Sequence, residues 1–275
     1  MDFLFLIYIG IGFLAGFVGS LVGLGGGIIV VPALTIALNM DIKNAIGASL
    51  VSLISTSVMT VSVLAKNNLV HFQLGLLLVS TTIFGSFLGS YTAVFLNPKI
   101  LMIVFASFML AAAYMLLRKK KISEESLMDT VPPTSNALDL YGEIKKESGI
   151  KYFKIKRVKL GIGLSAIAGW LSGMLGVGGG IVQVPMMNLI CGVPIKIAAA
   201  TSSFMIGFTG LAGALVYGLF GKIDWYLSAS LVLGTMLGSY AGSKAAVKLK
   251  SGVMAKILVA VLIVSAIRLI IKSQE

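Results

Sequence analysis

Carboxylates are scarce in this sequence. Of its 275 residues only ten are Asp or Glu, and six of those lie between Arg118 and Lys159. The other four, Asp2, Asp41, Asp224 and Glu275, stand at the ends of apolar segments. No carboxylate is therefore left inside such a segment to relay protons or to neutralise a cationic cargo. There is one cysteine, Cys191, with no CxxC pattern. That excludes an internal disulfide and a zinc framework, and Cys191 reads as a small packing residue. The sole histidine, His71, falls in a turn, and no HExxH or paired metal ligands occur. A Ser/His/Asp catalytic set thus has little support, and the chain reads as a protein that is no enzyme and has no cofactor and no metal.

Apolar residues are what it has in abundance: 57% of the chain is hydrophobic, 12% is charged, and the mean hydropathy is +1.01. No water-soluble globule has this composition. Apolar runs recur near 3–22, 46–65, 72–96, 100–117, 160–176, 197–220, 225–243 and 253–271. As helices of about 17 to 25 residues, such runs can cross a hydrocarbon core of about 30 Å. The first run has Asp2 and no Lys or Arg before it, lacks a small-residue cleavage site, and reads as a retained membrane segment rather than a signal peptide. The formal net charge of +12 comes largely from 118–159, which holds half of the 22 basic residues. A basic loop beside apolar spans marks the cytoplasmic side and contact with membrane lipid, not nucleic acid. Its end, IKYFKIKRVK, interleaves aromatics with lysines; it reads as an ordinary positive-inside flank that could lie on the headgroups.

The sequence repeats itself. GLGGGIIVVP at 23–32 returns as GVGGGIVQVP at 176–185, an offset of 153 residues. The same offset places Lys43 on Lys196, Ser49 on Ser202, and Gly85, Ser86, Gly89 and Ser90 on Gly238, Ser239, Gly242 and Ser243. The chain therefore divides into a first transmembrane repeat over 1–117, a charged cytoplasmic linker over 118–159 with Pro132 and Pro133 in a mobile middle, and a second repeat over 160–275. Each repeat holds a short segment after the glycines, 27–39 and 180–192, too short to span and better suited to re-entry. With the linker inside, the basic turns containing Lys66, His71, Lys196, Lys244, Lys248 and Lys250 fall inside, and Asp41, Lys43, Lys99, Lys222 and Asp224 fall outside. This assignment requires an odd number of net crossings per half, so the expected fold is an all-α integral membrane protein of two inverted-topology repeats. Each repeat has a broken or re-entrant hairpin at its GGG motif and three spanning helices.

GLGGG fails as a dinucleotide loop, since Ile28 stands where the third glycine belongs, and it lacks the Lys of a Walker A loop. GFLAG at 12–16, GSFLG at 85–89, GWLSG at 169–173 and GTMLGSYAG at 234–242 have the small-xxx-small spacing of close helix packing. Three adjacent glycines favour a loop instead, and a loop within hydrocarbon must be buried in protein or line a cavity. A helix restarting there leaves its first N–H groups free and its positive dipole end pointing inward. Two inverted hairpins would aim two such ends at one point, an anion site made of backbone. Pro32 and Pro185, one turn later, each remove a donor and read as kinks. Ser52, Thr56, Ser203 and Thr209 suit capping or helix contact. Gln183 faces Val30 in the repeat, and Asn188 faces Thr35, so any site is chemically asymmetric.

The duplicated G-x-GGG-I-x-x-x-P, followed in each half by A-x-x-x-S and separated by a charged loop, resembles the TauE/SafE family of sulfite exporters over nearly the whole chain. The resemblance implies a secondary transporter that exports sulfite, organosulfonates or related small sulfur-containing anions across the bacterial cytoplasmic (inner) membrane. Together the two readings place an anion between the breaks, on Gly25, Gly26, Gly27, Gly178, Gly179 and Gly180, with Ser49, Thr201 and Ser202 contributing hydroxyls and Gln183 a specificity contact. Alternating access would follow from rocking of one repeat against the other. The competing readings are an anion channel on the same dipoles and a membrane enzyme handling a sulfur compound through Cys191 or His71. The expected partners are the anion and membrane lipid, with a homodimer admissible and no nucleic acid.

Overall fold

The computed structural model describes residues 2–117, 141–146, 149–248 and 251–274. The first repeat contributes α1 (Asp2–Val22), α2 (Gly27–Ala37), α3 (Ile42–Lys66), α4 (Phe72–Phe95) and α5 (Pro98–Leu117). After the hairpin of β1 (Tyr141–Lys146) and β2 (Gly149–Lys154) come α6 (Val158–Leu175), α7 (Gly180–Leu189), α8 (Ile195–Leu219), α9 (Trp225–Lys248) and α10 (Ser251–Gln274). The first residues of α2, α3, α4 and α5 shifted by 153 give the first residues of α7, α8, α9 and α10. Among the described residues five helices, Leu4–Val22, Ile42–Lys66, Phe72–Phe95, Val158–Leu175 and Ile195–Leu219, are long and apolar enough to cross a membrane. The protein is thus a mostly helical, multi-pass membrane protein.

The scarce polar residues at segment ends start these helices. Asp41 Oδ1 accepts from Lys43 N at 2.7 Å and heads α3, and Asp224 Oδ1 accepts from Leu227 N at 3.1 Å and heads α9. His71 does the same for α4, its Nδ1 accepting from Leu74 N at 3.1 Å. Pro32 sits inside the α2 segment, and the turn after it, Ala33–Ala37, widens to π-helical spacing. A residue without an N–H breaks the i to i−4 ladder there, and the register slips by one.

Helices of the two halves pair crosswise. α1 lies along α9 and α4 along α6, while α3 meets α8 and α5 meets α10. The glycines show the directions. Gly12 abuts Leu231 and Gly16 abuts Thr235, so α1 and α9 run parallel; Gly85 abuts Ala166 and Gly89 abuts Trp170, so α4 and α6 do too. Ser57 Oγ donates to Ser203 O at 2.7 Å while Gly210 abuts Leu50, so α3 and α8 run antiparallel. Ser86 Oγ donates to Thr209 O at 2.7 Å and Gly75 touches Thr201, which makes α4 parallel to α8. Ser55 and Thr235 hydroxyls meet at 2.7 Å and Gly47 touches Lys222 O, which makes α9 parallel to α3. Leu14, Phe84, Leu215 and Leu237 point outward and exposed, whereas Ser49, Ser52, Thr56, Ser86, Ser202 and Thr209 are buried.

One element departs from the all-α expectation. β1 and β2 pair as an antiparallel β-hairpin, with Tyr141 opposite Lys154. Phe153 and Ile155 are buried against Leu74, Met187 and Val193 rather than exposed as a headgroup-facing flank would be. His71 Nε2 lies 3.0 Å from Tyr141 O, and Lys156 N donates to Cys191 O at 2.9 Å. The α3–α4 turn, the hairpin and the α7–α8 connection thus share one end of the molecule. At the other end Lys43 Nζ donates to Val94 O at 2.6 Å and Lys272 Nζ to Asn39 Oδ1 at 2.7 Å. The linker's proline-containing middle, expected to be mobile, lies outside the described residues.

Candidate functional site

Three glycines in each break adopt a left-handed backbone: Gly23, Gly25 and Gly26 at φ of 74, 83 and 88°, and their equivalents Gly176, Gly178 and Gly179 at 67, 81 and 71°. An L side chain there is costly, so the loop shape demands glycine. Gly26 and Gly179 end each loop as the N-caps of α2 and α7. Gly26 O accepts from Ile29 N at 2.9 Å, and Gly179 O accepts from Val182 N and Gln183 N at 3.0 Å. No side chain caps either helix.

The two breaks touch each other. A Cβ on Gly27 would collide with Gly176 O, and a Cβ on Gly180 would collide with Gly23 O. Ser49 Oγ donates to Gly176 O at 2.7 Å, and its equivalent Ser202 donates to Gly23 O at 3.3 Å. Each α3-type helix thus ties itself to the first glycine of the opposite half. Leu53 and Ile206, also equivalent and close to the middle of the 25-residue helices α3 and α8, close over Gly25 and Gly178. Ser202 Oγ additionally lies 3.2 Å from Gln183 Oε1, which brings Gln183 into the cluster. Ser49, Ser202 and Gln183 are all fully buried.

Nine of the ten residues expected at the site are therefore assembled. Thr201 is the exception: its hydroxyl accepts from His71 N at 3.0 Å and its methyl faces Gly75, so it serves the joint between α8 and α4. Ser52, Thr56, Ser203 and Thr209 donate to carbonyls three or four residues back in their own helices. Asn188 Nδ2 donates to Val193 O at 2.9 Å and closes the α7–α8 connection. His71 and Cys191 have structural surroundings. Cys191 is fully buried with Sγ 3.9 Å from Met186 Sδ, and burial pushes its thiol pKa up. Ala199, which packs against Gly23, was not singled out by sequence, nor were Leu53 and Ile206, although applying the repeat offset to Leu53 yields Ile206. An apolar groove of about 630 Å³ between α4, α5 and α6, lined by Tyr91, Phe95, Trp170 and Met174, opens to the outside and has no part in this cluster.

The profile of a family described as "Sulfite exporter TauE/SafE" matches residues 8–269. A probable membrane transporter protein of Bacillus subtilis, YunE, is 30% identical over 273 residues, covering 97% of each chain. A probable membrane transporter protein of Methanocaldococcus jannaschii is 27% identical over 213 residues, 75% of this chain and 70% of that one. A sulfite exporter TauE/SafE family protein of Arabidopsis thaliana is 39% identical over 77 residues, 28% of this chain and 17% of the plant protein. No solved structure matches the chain.

Proposed function

The chain belongs to the sulfite exporter TauE/SafE family and is a membrane transporter, and from that premise we propose that it exports small sulfur-containing anions, sulfite or an organosulfonate, by alternating access across the bacterial inner membrane. The observation that carries this reading is the meeting of the two glycine breaks, Gly27 against Gly176 and Gly180 against Gly23. In that arrangement the uncapped N-termini of α2 and α7 face a common centre. Their dipole ends supply about half a positive charge each, together enough to balance a monoanion. Among the described residues no Lys, Arg, Asp or Glu is buried, so the balance rests on backbone and hydroxyl dipoles.

The helix directions support inverted repeats. With α1, α3 and α9 parallel, and α4, α6 and α8 opposed to them, each of these six helices runs against its own equivalent in the other half. The end bearing His71, the hairpin and Lys196 is the cytoplasmic one, following the basic linker. Leu53 and Ile206 close over the breaks; rocking of the halves about the α3–α8 contact would withdraw them toward one face and then the other. An anion bound at the cytoplasmic face and released outside by such a cycle would leave the cell down an inside-negative potential.

Flux of radiolabelled sulfite, sulfonates and sulfate in proteoliposomes tests the function. Saturable, counterflow-stimulated movement of the sulfur anions is expected; flux without counterflow stimulation would make the protein a channel, and no flux with or without proton or sodium gradients would sink the assignment. Sidedness has its own test. Lys66 and Leu219 are equivalent, exposed helix ends, so Lys66→Cys and Leu219→Cys should label with a charged maleimide from opposite faces of sealed vesicles. Native Cys191 should stay silent because it is buried and its thiol is held protonated. Labelling of both engineered cysteines from one face would exclude inverted repeats.

A further inference from the structure

The halves differ in chemistry where α6 passes behind the second break. Ser165, Ser172 and Gln183 stand where the first repeat has Gly12, Gly19 and Val30. All three are fully buried, and Ser165 Oγ, Ser172 Oγ and Gln183 Nε2 have no hydrogen-bond partner among the described residues. Ser165 and Ser172 are seven residues apart, two turns along one face of α6. Leaving three such groups unpaired is expensive, and native interiors avoid it unless something else pairs with them.

The backbone also leaves more room on this side. In the first half a Cβ on Gly26 would come to 2.5 Å from Ala15 O, and one on Gly19 would strike Gly26 N: the break is pressed against α1. In the second half a Cβ on Gly179 would lie 3.1 Å from Ala168 O, 3.3 Å from Ser172 Cβ and 3.4 Å from Gln183 Nε2. The second break is pressed less tightly on α6, and two of the side chains that lack partners, Ser172 and Gln183, flank Gly179, with Ser165 two turns earlier on the same face of α6. Gln183 reaches Gly179 with its amide held in place, because Ser202 Oγ lies 3.2 Å from Oε1 at the other end. Turning the amide would present Oε1 in place of Nε2, so one unpaired amide end always faces this compartment beside the two hydroxyls.

We propose that Ser165, Ser172 and Gln183 form a one-sided subsite that binds an uncharged polar group, a hydroxyl or carbonyl, on the organic part of the transported anion while its anionic end lies between the breaks. This rests on the anion-transport reading above. The group is polar because an apolar tail would leave three buried polar atoms unpaired, the situation in which sites built for hydrogen bonding discriminate most strongly. It is uncharged because among the described residues no ionisable side chain is buried to compensate a second charge. The anionic end and the tail would thus be read by different means: symmetric backbone for the first, side chains of one repeat for the second.

Ethanesulfonate and hydroxyethanesulfonate differ by one hydroxyl and test this directly. In proteoliposomes the wild type should favour the hydroxylated sulfonate about five- to tenfold in kcat/KM, as one additional hydrogen bond provides. The triple change Ser165→Gly, Ser172→Gly and Gln183→Val, which copies the first repeat, should bring that ratio close to one. Gln183→Leu, which keeps the volume and removes the amide, should give the same loss of preference if the triple variant folds poorly. Melting of the purified protein in detergent with each sulfonate gives a second readout, with the larger stabilisation expected from the hydroxylated one. Equal transport of both by the wild type, or a preference that survives both variants, overturns the subsite while leaving the transporter intact. If neither sulfonate moves and neither shifts the melt, the subsite and the function fall together.

Discussion

Gly27→Ala and Gly180→Ala should each abolish most of the flux, at least tenfold, while leaving protein that still folds. Neither glycine has a positive φ, so alanine meets no backbone penalty of its own at these two positions. The whole effect comes from the added methyl group, which would occupy the space of Gly176 O or Gly23 O in the opposite break. A carbonyl in a loop that is itself held by Ser49 or Ser202 cannot turn away without breaking that hydrogen bond. The breaks must separate, and the two helix N-termini lose their common centre. Overpacking of this size costs about 1–3 kcal/mol, a loss that a stable domain survives, whereas a displacement of an ångström at a binding centre is enough to lose the function. Gly25→Ala and Gly178→Ala behave differently, since positive φ adds about 1–2 kcal/mol of backbone strain and their obstacles are the flexible ends of Leu53 and Ile206. Leu53→Ala should therefore relieve part of the Gly25→Ala defect and none of the Gly27→Ala defect. Flux and thermal melting measured on the same preparations separate the two effects. Wild-type flux in Gly27→Ala would show that the meeting of the breaks plays no part in transport.

The legible part of this molecule is the part written in glycine. Backbone that must go left-handed, or approach another backbone, has few residues to choose from, so the breaks, the offset of the repeat and the packing stripes are visible as letters. The meeting of the two breaks is less visible, because it joins Gly27 to Gly176 and Gly180 to Gly23 across half the chain, and no local pattern encodes that distance. Thr201 shows the limit at single-residue scale. It and Ser202 are neighbours of similar chemistry, but successive residues point about 100° apart around a helix, so one hydroxyl reaches Gly23 and the other reaches His71. Deciding which faces inward requires knowing which helices flank α8. The β-hairpin was hidden for a related reason: aromatics interleaved with lysines suit a membrane surface and a strand with one buried face equally well, and the cluster around Leu74 and Met187 that receives Phe153 is assembled from distant segments. The asymmetry at Ser165, Ser172 and Gln183 was half legible, because comparing the repeats exposes the polar substitutions while only the packing shows them unpaired.

Gly89→Ala and Gly242→Ala should each lower thermal stability by about 2–3 kcal/mol or more, and with it the yield of folded protein. Between helices in lipid there is no hydrophobic drive to associate, since the tails are as apolar as leucine, so attraction depends on how closely the backbones approach. These two glycines occupy equivalent positions and fit against equivalent carbonyls, Trp170 O for Gly89 and Phe17 O for Gly242. Gly85 and Gly238 repeat the contact one turn earlier, against Ala166 O and Phe13 O, and Gly169 and Gly173 return it from α6 to Thr82 O and Ser86 O. A methyl group at any of them cannot be relieved by a rotamer change, because the obstacle is main chain; the helices must move apart along their whole shared length, and every dispersion contact in the stripe weakens at once. Gly10 and Gly163 supply the contrast. Nothing lies within 4 Å of a Cβ at either position and both are exposed, so Gly10→Ala and Gly163→Ala should leave the melt unchanged or raise it slightly through better helix propensity. Circular-dichroism melts in one detergent compare all four variants. If Gly89→Ala and Gly242→Ala melt with Gly10→Ala and Gly163→Ala, the crosswise pairing of α1 with α9 and α4 with α6 is not what holds the two halves together. If they fall as expected while the flux of the surviving folded protein stays normal, the packing glycines and the glycine breaks are doing separate jobs in the same chain, the first holding helices together and the second bringing two helix ends to one point.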